Sequence, residues 1–253
     1  MINNTAKHRM LSGQPALGTV LNLGSPTAAQ LLAQTGLDFM LVDAQHGDWD
    51  DHNCLNAFRQ IQLGTATPMA RVCRNDFYAI GRLLDRGALG IVVPMVESAE
   101  EARQAAHAMH YPPAGGRSFG PILASYHGDD YADRIDREVF LAVQIECATA
   151  VERAEAILGV EGVDGCWIGP MDLARSMGVD VSTASGREAH RAAILRVLDA
   201  CRKTGKIPGI FTADFVTARY WIERGFRFVT VSSDIGFMLS GAQESLRELG
   251  RLP

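Results

Sequence analysis

The chain has 253 residues, 47% apolar and 21% charged, which suits one (β/α)8 barrel with a large core. A net charge of −5, a pI near 5.8 and the lack of any Lys/Arg run exclude a nucleic-acid-binding surface. No apolar run approaches a membrane span, the opening MINNTAKHRML has no signal-like stretch, and five scattered cysteines (Cys54, Cys73, Cys147, Cys166, Cys201) form no CxxC pair, so a cytoplasmic chain without zinc knuckle or disulfide framework is expected.

In chain order, apolar runs that read as strands are Ala16–Leu21, Phe39–Val42, Pro68–Val72, Gly90–Pro94, Phe140–Ile145, Gly165–Ile168, Pro208–Phe211 and Phe228–Val231. Most are apolar on consecutive residues, the pattern of parallel strands covered on both faces. Helix signals fill the gaps. Ser25 with Pro26 opens one helix, and Gly36 closes it. Asn75 or Asp76 caps the next signalled helix, whose apolar face is Phe77, Ile80 and Leu84 and whose end is Gly87. Ser98 with Glu101 forms a capping box, as does Thr149 with Glu152. Ile194, Val197, Leu198 and Cys201 mark one face of a long helix, and Leu239, Ala242, Leu246 and Leu249 one face of the last.

Eight strand–helix alternations favour a closed (β/α)8 TIM barrel spanning 1–253 as a single domain. No GxGxxG follows the first strand and no Walker sequence occurs, which removes the main signals of a doubly wound open sheet. The one long irregular stretch, Tyr111 to Asp130 with its YPPAGGRSFGP core, is expected to be a loop that shapes the site.

Catalysis in such a barrel sits at the C-terminal ends of the strands, so ionisable groups just past each strand are the candidates. The second strand runs into Asp43-Ala44-Gln45-His46-Gly47, the third ends at Arg71, the fifth runs through Gln144 to Glu146, the sixth into Gly169-Pro170-Met171-Asp172, and the eighth into Ser232-Ser233-Asp234. Glu146 and Asp172, on neighbouring strand ends with few thiolates or imidazoles nearby, suit a hard cation such as Mg2+ or Mn2+; the alternative is that each caps the helix after it. His46 is a candidate general acid or base, with Asp43 or Asp85 as its partner, Asp85 reaching in from a neighbouring subunit. Arg71 suits a carboxylate or a developing enolate oxygen, or else a structural pair with Asp43 or Glu146. The backbone N–H groups after Gly169-Pro170 open a helix that can receive a substrate carboxylate. The chain has three lysines, Lys7, Lys203 and Lys206, all before strands and away from this rim. A Schiff-base mechanism has no amine to use, so a metal or another cofactor must stabilise any carbanion.

The stretches LVDAQHG, LLDRGALGIVVPMVESAEEAR, YPPAGGRSFGP, VQIECATAVERAEAILGVEGVDGCWIGPMDLARSMG and GKIPGIF resemble the HpcH/HpaI aldolase family over nearly the whole chain. The resemblance implies a class II pyruvate aldolase acting on 4-hydroxy-2-oxo acids or 2-keto-3-deoxy sugar acids. It implies a divalent ion (Mg2+ or Mn2+, or Co2+), a pyruvate enolate and a homohexamer, a trimer of dimers that exchanges its C-terminal helix. By position, Glu146 and Asp172 look like the metal ligands and His46 like the base, acting through a metal-bound water. Arg71 looks like the enolate-stabilising group, and Gln144, Gly169, Pro170 and Met171 like substrate-binding positions. Many members have Glu where this chain has Gln45, and Thr where it has Cys147. The substrates implied are a 2-oxo acid and an aldehyde. Rival readings are a CoA-ester lyase of the citryl- or malyl-CoA type, for which no CoA-binding extension is evident, a phosphoenolpyruvate mutase or lyase, and a barrel that binds a small acid without turnover.

Overall fold

Strands that are apolar on consecutive residues need cover on both faces, and a barrel wrapped in helices provides it. The computed structural model describes residues 3–122, 124 and 128–251. Eight parallel strands close in sequence order: β1 (Ala16–Leu21), β2 (Phe39–Asp43), β3 (Thr67–Arg71), β4 (Gly90–Val93), β5 (Phe140–Ile145), β6 (Gly165–Ile168), β7 (Gly209–Thr212) and β8 (Phe228–Ser233). Each predicted run is a strand, displaced at its ends by two residues at most.

Side chains alternate across the barrel wall. From β2, Met40 and Val42 face outward and join Phe58, Ile80, Leu141 and Ile157 in the layer between strands and helices. Phe39 and Leu41 face inward and pack with Met69, Val92, Phe140, Trp167 and Phe228. The Phe228 ring lies 4.6 Å from that of Phe39 and 5.1 Å from that of Phe140, centroid to centroid. The same parity, continued upward, turns Asp43, Arg71 and Gln144 into the barrel mouth. A helix absent from the sequence reading, Thr5–Leu11, plugs the other end with Ala6 and Met10, both fully buried.

The helix starts largely follow their caps. Ser25 accepts from Ala28 N and Asp76 from Ala79 N, opening helices Pro26–Ala33 and Phe77–Asp85. Ser98 accepts from Glu101 N, but Glu101 returns to Glu97 N, so the reciprocal arm of the capping box is shifted by one residue. Thr149 is no cap: it lies inside the helix Ala148–Glu152, which Cys147 caps through Sγ at 3.4 Å from Ala150 N, and Arg153 interrupts the chain before a second short helix, Ala154–Leu158. On Phe77–Asp85 the buried face is Ile80, Leu83 and Leu84, while Phe77 is 37% exposed. The predicted apolar face of the last helix, Asp234–Glu248, lies in solvent in the single chain: Leu239, Leu246 and Leu249 are exposed.

In the loop after β4 and helix Ala99–Met109, residues 123 and 125–127 lie outside the described residues. The described part is anchored by the buried Arg117, whose Nη2 donates to Asp85 at 2.9 Å and whose guanidinium lies 4.8 Å from the Tyr111 ring centroid. Among the described residues no helix is long and apolar enough to cross a membrane.

Candidate active site

The inward parity of the strands delivers polar side chains to one mouth. A cavity of about 260 Å3 opens there, with Asp43, His46, Arg71, Gln144 and Asp172 among its lining residues. Gly169, Pro170 and Met171 line it as well. Asp85 is not brought to it within this chain; it ends the helix Phe77–Asp85 and pairs with Arg117. The loop from Tyr111 to Asp130 contributes no lining residue among those described, which departs from the expectation for it.

His46 stands on the turn that follows β2. Gly47 N donates to Asp43 O at 2.9 Å and Asp48 N to Asn22 O at 2.8 Å, folding the turn back under the histidine. Gly47 is required here: a Cβ would lie 2.7 Å from Asp43 O and 2.8 Å from Trp49 Cδ1. Asp43 holds this turn by its backbone, accepting from Gln45 N at 3.1 Å and His46 N at 3.3 Å, and the imidazole is not among its partners. The exposed ring of His46 is free to meet a ligand.

Arg71 is 8% exposed and Asp43 1%, so each charge requires the other. They meet as a fork: Nε donates to Oδ1 at 2.8 Å and Nη2 to Oδ2 at 2.6 Å. Asn22 Nδ2 also donates to Asp43 Oδ2, at 3.0 Å. This arrangement leaves Arg71 Nη1 unused by Asp43. The guanidinium lies 5.4 Å from the Trp167 ring centroid, fixing it from a second side.

Glu146 follows β5 and is 5% exposed. It is not a helix cap. Oε1 accepts from Met95 N at 2.9 Å, and Oε2 accepts from Gln144 Nε2. Met95 sits at φ 55°, a left-handed conformation that costs a non-glycine residue energy and here aims its N–H at the carboxylate. Burial pushes the Glu146 carboxyl above its ordinary range, the Met95 N–H opposes this, and the charge of Asp172 adds to the rise. The two carboxylates meet over Gly169, where a Cβ would lie 2.9 Å from Glu146 Oε2, 2.9 Å from Gln144 Nε2 and 3.5 Å from Asp172 Oδ2. His190 Nε2 is 2.8 Å from Pro170 O and ties the same turn to the helix Ala184–Thr204.

A buried carboxylate, Glu146, and an exposed one, Asp172, sharing space over Gly169 with no lysine or arginine between them, form an oxygen donor set fit for a hard divalent cation. Among the described residues no cluster of three or more His, Cys, Asp and Glu could hold a metal, so a cation here would keep several coordination positions for water or a chelating ligand. The lysines are elsewhere: Lys7 is buried against Asp164 and Val139 O, Lys206 donates to Val163 O, and Lys203 pairs with Glu155.

Asn22, Trp167 and Phe211 also line the cavity, and the sequence reading does not count them among the site candidates. A search of strand ends for ionisable groups passes over all three. Extending it to amides and indoles would have found Asn22, directly after β1, and Trp167, one residue before the end of β6.

Residues 17–240 match the family model described as HpcH/HpaI aldolase/citrate lyase. A 4-hydroxy-2-oxo-heptane-1,7-dioate aldolase of Escherichia coli is 35% identical over a 256-residue alignment covering 98% of this chain and 96% of that one. A hydroxypyruvate/pyruvate aldolase of Agrobacterium fabrum is 36% identical over 238 residues, covering 92% of this chain and 88% of its own. The crystal structure of a HpcH/HpaI aldolase/citrate lyase family protein from Burkholderia cenocepacia is similar with a TM-score of 0.91 at 31% identity, covering 98% of this chain and 99% of that one.

Proposed function

The chain belongs to the HpcH/HpaI aldolase/citrate lyase family and is a lyase of the aldolase type; from that premise we propose that it is a class II, divalent-metal-dependent aldolase that cleaves 4-hydroxy-2-oxo acids to pyruvate, or a related 2-oxo acid, and an aldehyde. One observation carries the reading: Glu146 and Asp172 converge over the bare Cα of Gly169, and burial penalises the charge on Glu146. A cation of two charges would relieve that penalty, and the same donor set leaves room for a chelating acid. Glu146 and Asp172 would hold the ion, Mg2+, Mn2+ or Co2+. When bound it supplies Lewis acidity, which makes the hydrogens beside a 2-oxo group more acidic.

The remaining work falls to the chain's own residues. In cleavage, His46 takes the proton of the C4 hydroxyl, the C3–C4 bond breaks, the electron pair passes into the 2-oxo acid fragment, and a proton is returned to C3 to give the 2-oxo acid. In the synthetic direction the proton leaves C3, the C3–C4 bond forms and the aldehyde oxygen takes up a proton. Arg71, held by Asp43 with Nη1 spare, faces the oxygen that gains negative charge. Gln144, Gly169, Pro170 and Met171 bind the acid, as their place in the cavity wall supports. Asp43 steadies both the arginine and the histidine turn.

The protein works as a homo-oligomer. The apolar residues exposed on the last helix, Met238, Leu239, Leu246 and Leu249, support its packing on another copy. In such an assembly Asp85 of a neighbouring subunit would supply the acidic partner that the His46 ring lacks in the single chain. Five free cysteines support a reducing compartment, the cytoplasm. The test is pyruvate release from a panel of 4-hydroxy-2-oxo acids, with activity removed by a chelator and restored by Mg2+ or Mn2+. Activity that survives complete chelation refutes the metal reading, and no release from any member refutes the substrate class.

A further inference from the structure

Two side chains that line the cavity each carry a polar atom to which the reaction described above gives no hydrogen bond. Trp167 Nε1 and Gln144 Oε1 are both buried and have no hydrogen-bond partner among the described residues. Buried polar atoms in native proteins are seldom left this way. Trp167 and Gln144 are register partners on adjacent strands β6 and β5, and both line the active-site cavity. Neither can readily turn away. Arg71 lies over the Trp167 ring, and Phe211 packs edge-on against it at 6.1 Å between centroids. The Gln144 amide is oriented by Glu146: a carboxylate only accepts, so Nε2 must face it and Oε1 is the end left over.

The pair therefore offers one donor and one acceptor. An indole N–H can only donate, and an amide oxygen can only accept. A carboxylate would leave Gln144 unsatisfied, and an ammonium would leave Trp167 unsatisfied. A hydroxyl group satisfies both, accepting from Trp167 while donating to Gln144. Arg71 and Glu146, the immediate neighbours of the pair, belong to the end of the site where the 2-oxo group is handled, so the hydroxyl would sit next to that group.

We propose that Trp167 is a specificity-determining residue and that, with Gln144, it forms a subsite for a hydroxyl on the carbon beside the 2-oxo group of the acid. The preferred acid is then a 3-hydroxy-2-oxo acid, with plain pyruvate second. The location of the acid rests on the aldolase reading; the donor–acceptor pair does not.

Binding of hydroxypyruvate and of pyruvate to the full-length, Mg2+-loaded protein is measured by calorimetry, for the unchanged chain and for Trp167→Phe, which keeps a ring and loses the N–H. One neutral hydrogen bond corresponds to about a 3- to 10-fold change in Kd. The unchanged chain should prefer hydroxypyruvate by that factor. Trp167→Phe should lose the preference while holding its pyruvate Kd within about twofold. If Trp167→Phe does not fold, 15N-labelled tryptophan in the unchanged chain gives the same answer: the Trp167 indole resonance shifts with hydroxypyruvate and not with pyruvate. Equal binding of the two acids, binding of neither, or an equal loss of both in Trp167→Phe overturns the proposal; the last would assign the pair to a water or the ring to the packing of Arg71. Turnover separates the two readings. Preferential binding without aldol cleavage sinks the aldolase and keeps the subsite, while cleavage with equal binding does the reverse.

Discussion

Replacing Gly169 by alanine isolates the convergence of carboxylates from every other property of the barrel. The backbone there, φ −91° and ψ 94°, is open to any L-residue, so alanine brings no conformational strain. Its methyl would lie 2.9 Å from Glu146 Oε2 and Gln144 Nε2. Ordinary contact begins near 3.4 Å, so both side-chain tips must retreat by about 0.5 Å. They are the far ends of rotatable chains and yield at a cost of about 1 kcal/mol. For a chain of this length that is a loss of about 2–4 °C in Tm. The effect on chemistry should be far larger, because misplacing a working group by about 1 Å can cost about 100-fold. The expectation is a 10- to 100-fold fall in kcat/KM and a weaker response to Mn2+, with the fold nearly unchanged. Pyruvate release titrated with Mn2+, beside a melting curve taken in chelator, reads both quantities. Full activity at an unmoved Mn2+ midpoint would show that Glu146 and Gln144 need not stand where they do.

His46→Ala should lower the rate by about 100- to 10,000-fold if the ring moves the proton, and a near-normal rate in that variant removes it from the reaction. Asp43→Asn takes the counter-charge from a buried arginine and should cost about 3 kcal/mol of stability, checked by the urea midpoint; an unmoved midpoint contradicts the pairing. Glu146, its proton held above the ordinary glutamate range mainly by burial, binds that proton more tightly folded than unfolded. Its ionised form therefore disfavours the fold, so its share of metal-free stability should grow as pH falls through the raised pKa. Divalent-ion binding should weaken over the same interval. Melting in chelator across pH, compared with Glu146→Gln, tests the sign: the variant should melt higher near neutral pH and gain nothing from Mn2+.

The strands are legible in the sequence because an inward and an outward core both demand apolar residues, which leaves short dense runs at eight places. The ends of those runs then show Asp43, His46, Arg71, Glu146 and Asp172, since ionisable groups stand out against such a background. Gly169 is different. In sequence it reads as the opening of a helix, and only with Gln144, Glu146 and Asp172 around it does its missing side chain become the space they share. The pairing of Asp85 with Arg117 joins a helix end to an irregular segment 32 residues later, beyond a strand and a helix, where no periodicity guides a reading. The break at Arg153 escapes for a related reason: residues 149–158 contain no Gly or Pro, so no breaker marks the interruption between the two short helices Ala148–Glu152 and Ala154–Leu158. The outward face of the final helix carries the opposite lesson, since its apolar spacing is plain in the sequence but the described residues of the chain leave it exposed.

The scarcity and placement of amines have a practical side. Lys7 is buried, and the exposed Lys203 lies with Lys206 at the end of the barrel remote from the cavity. Coupling the protein to a resin through its lysine side chains would therefore tether it by the base and leave the mouth turned to the bulk solution. An immobilised catalyst made this way should keep its substrate access without any redesign of the surface.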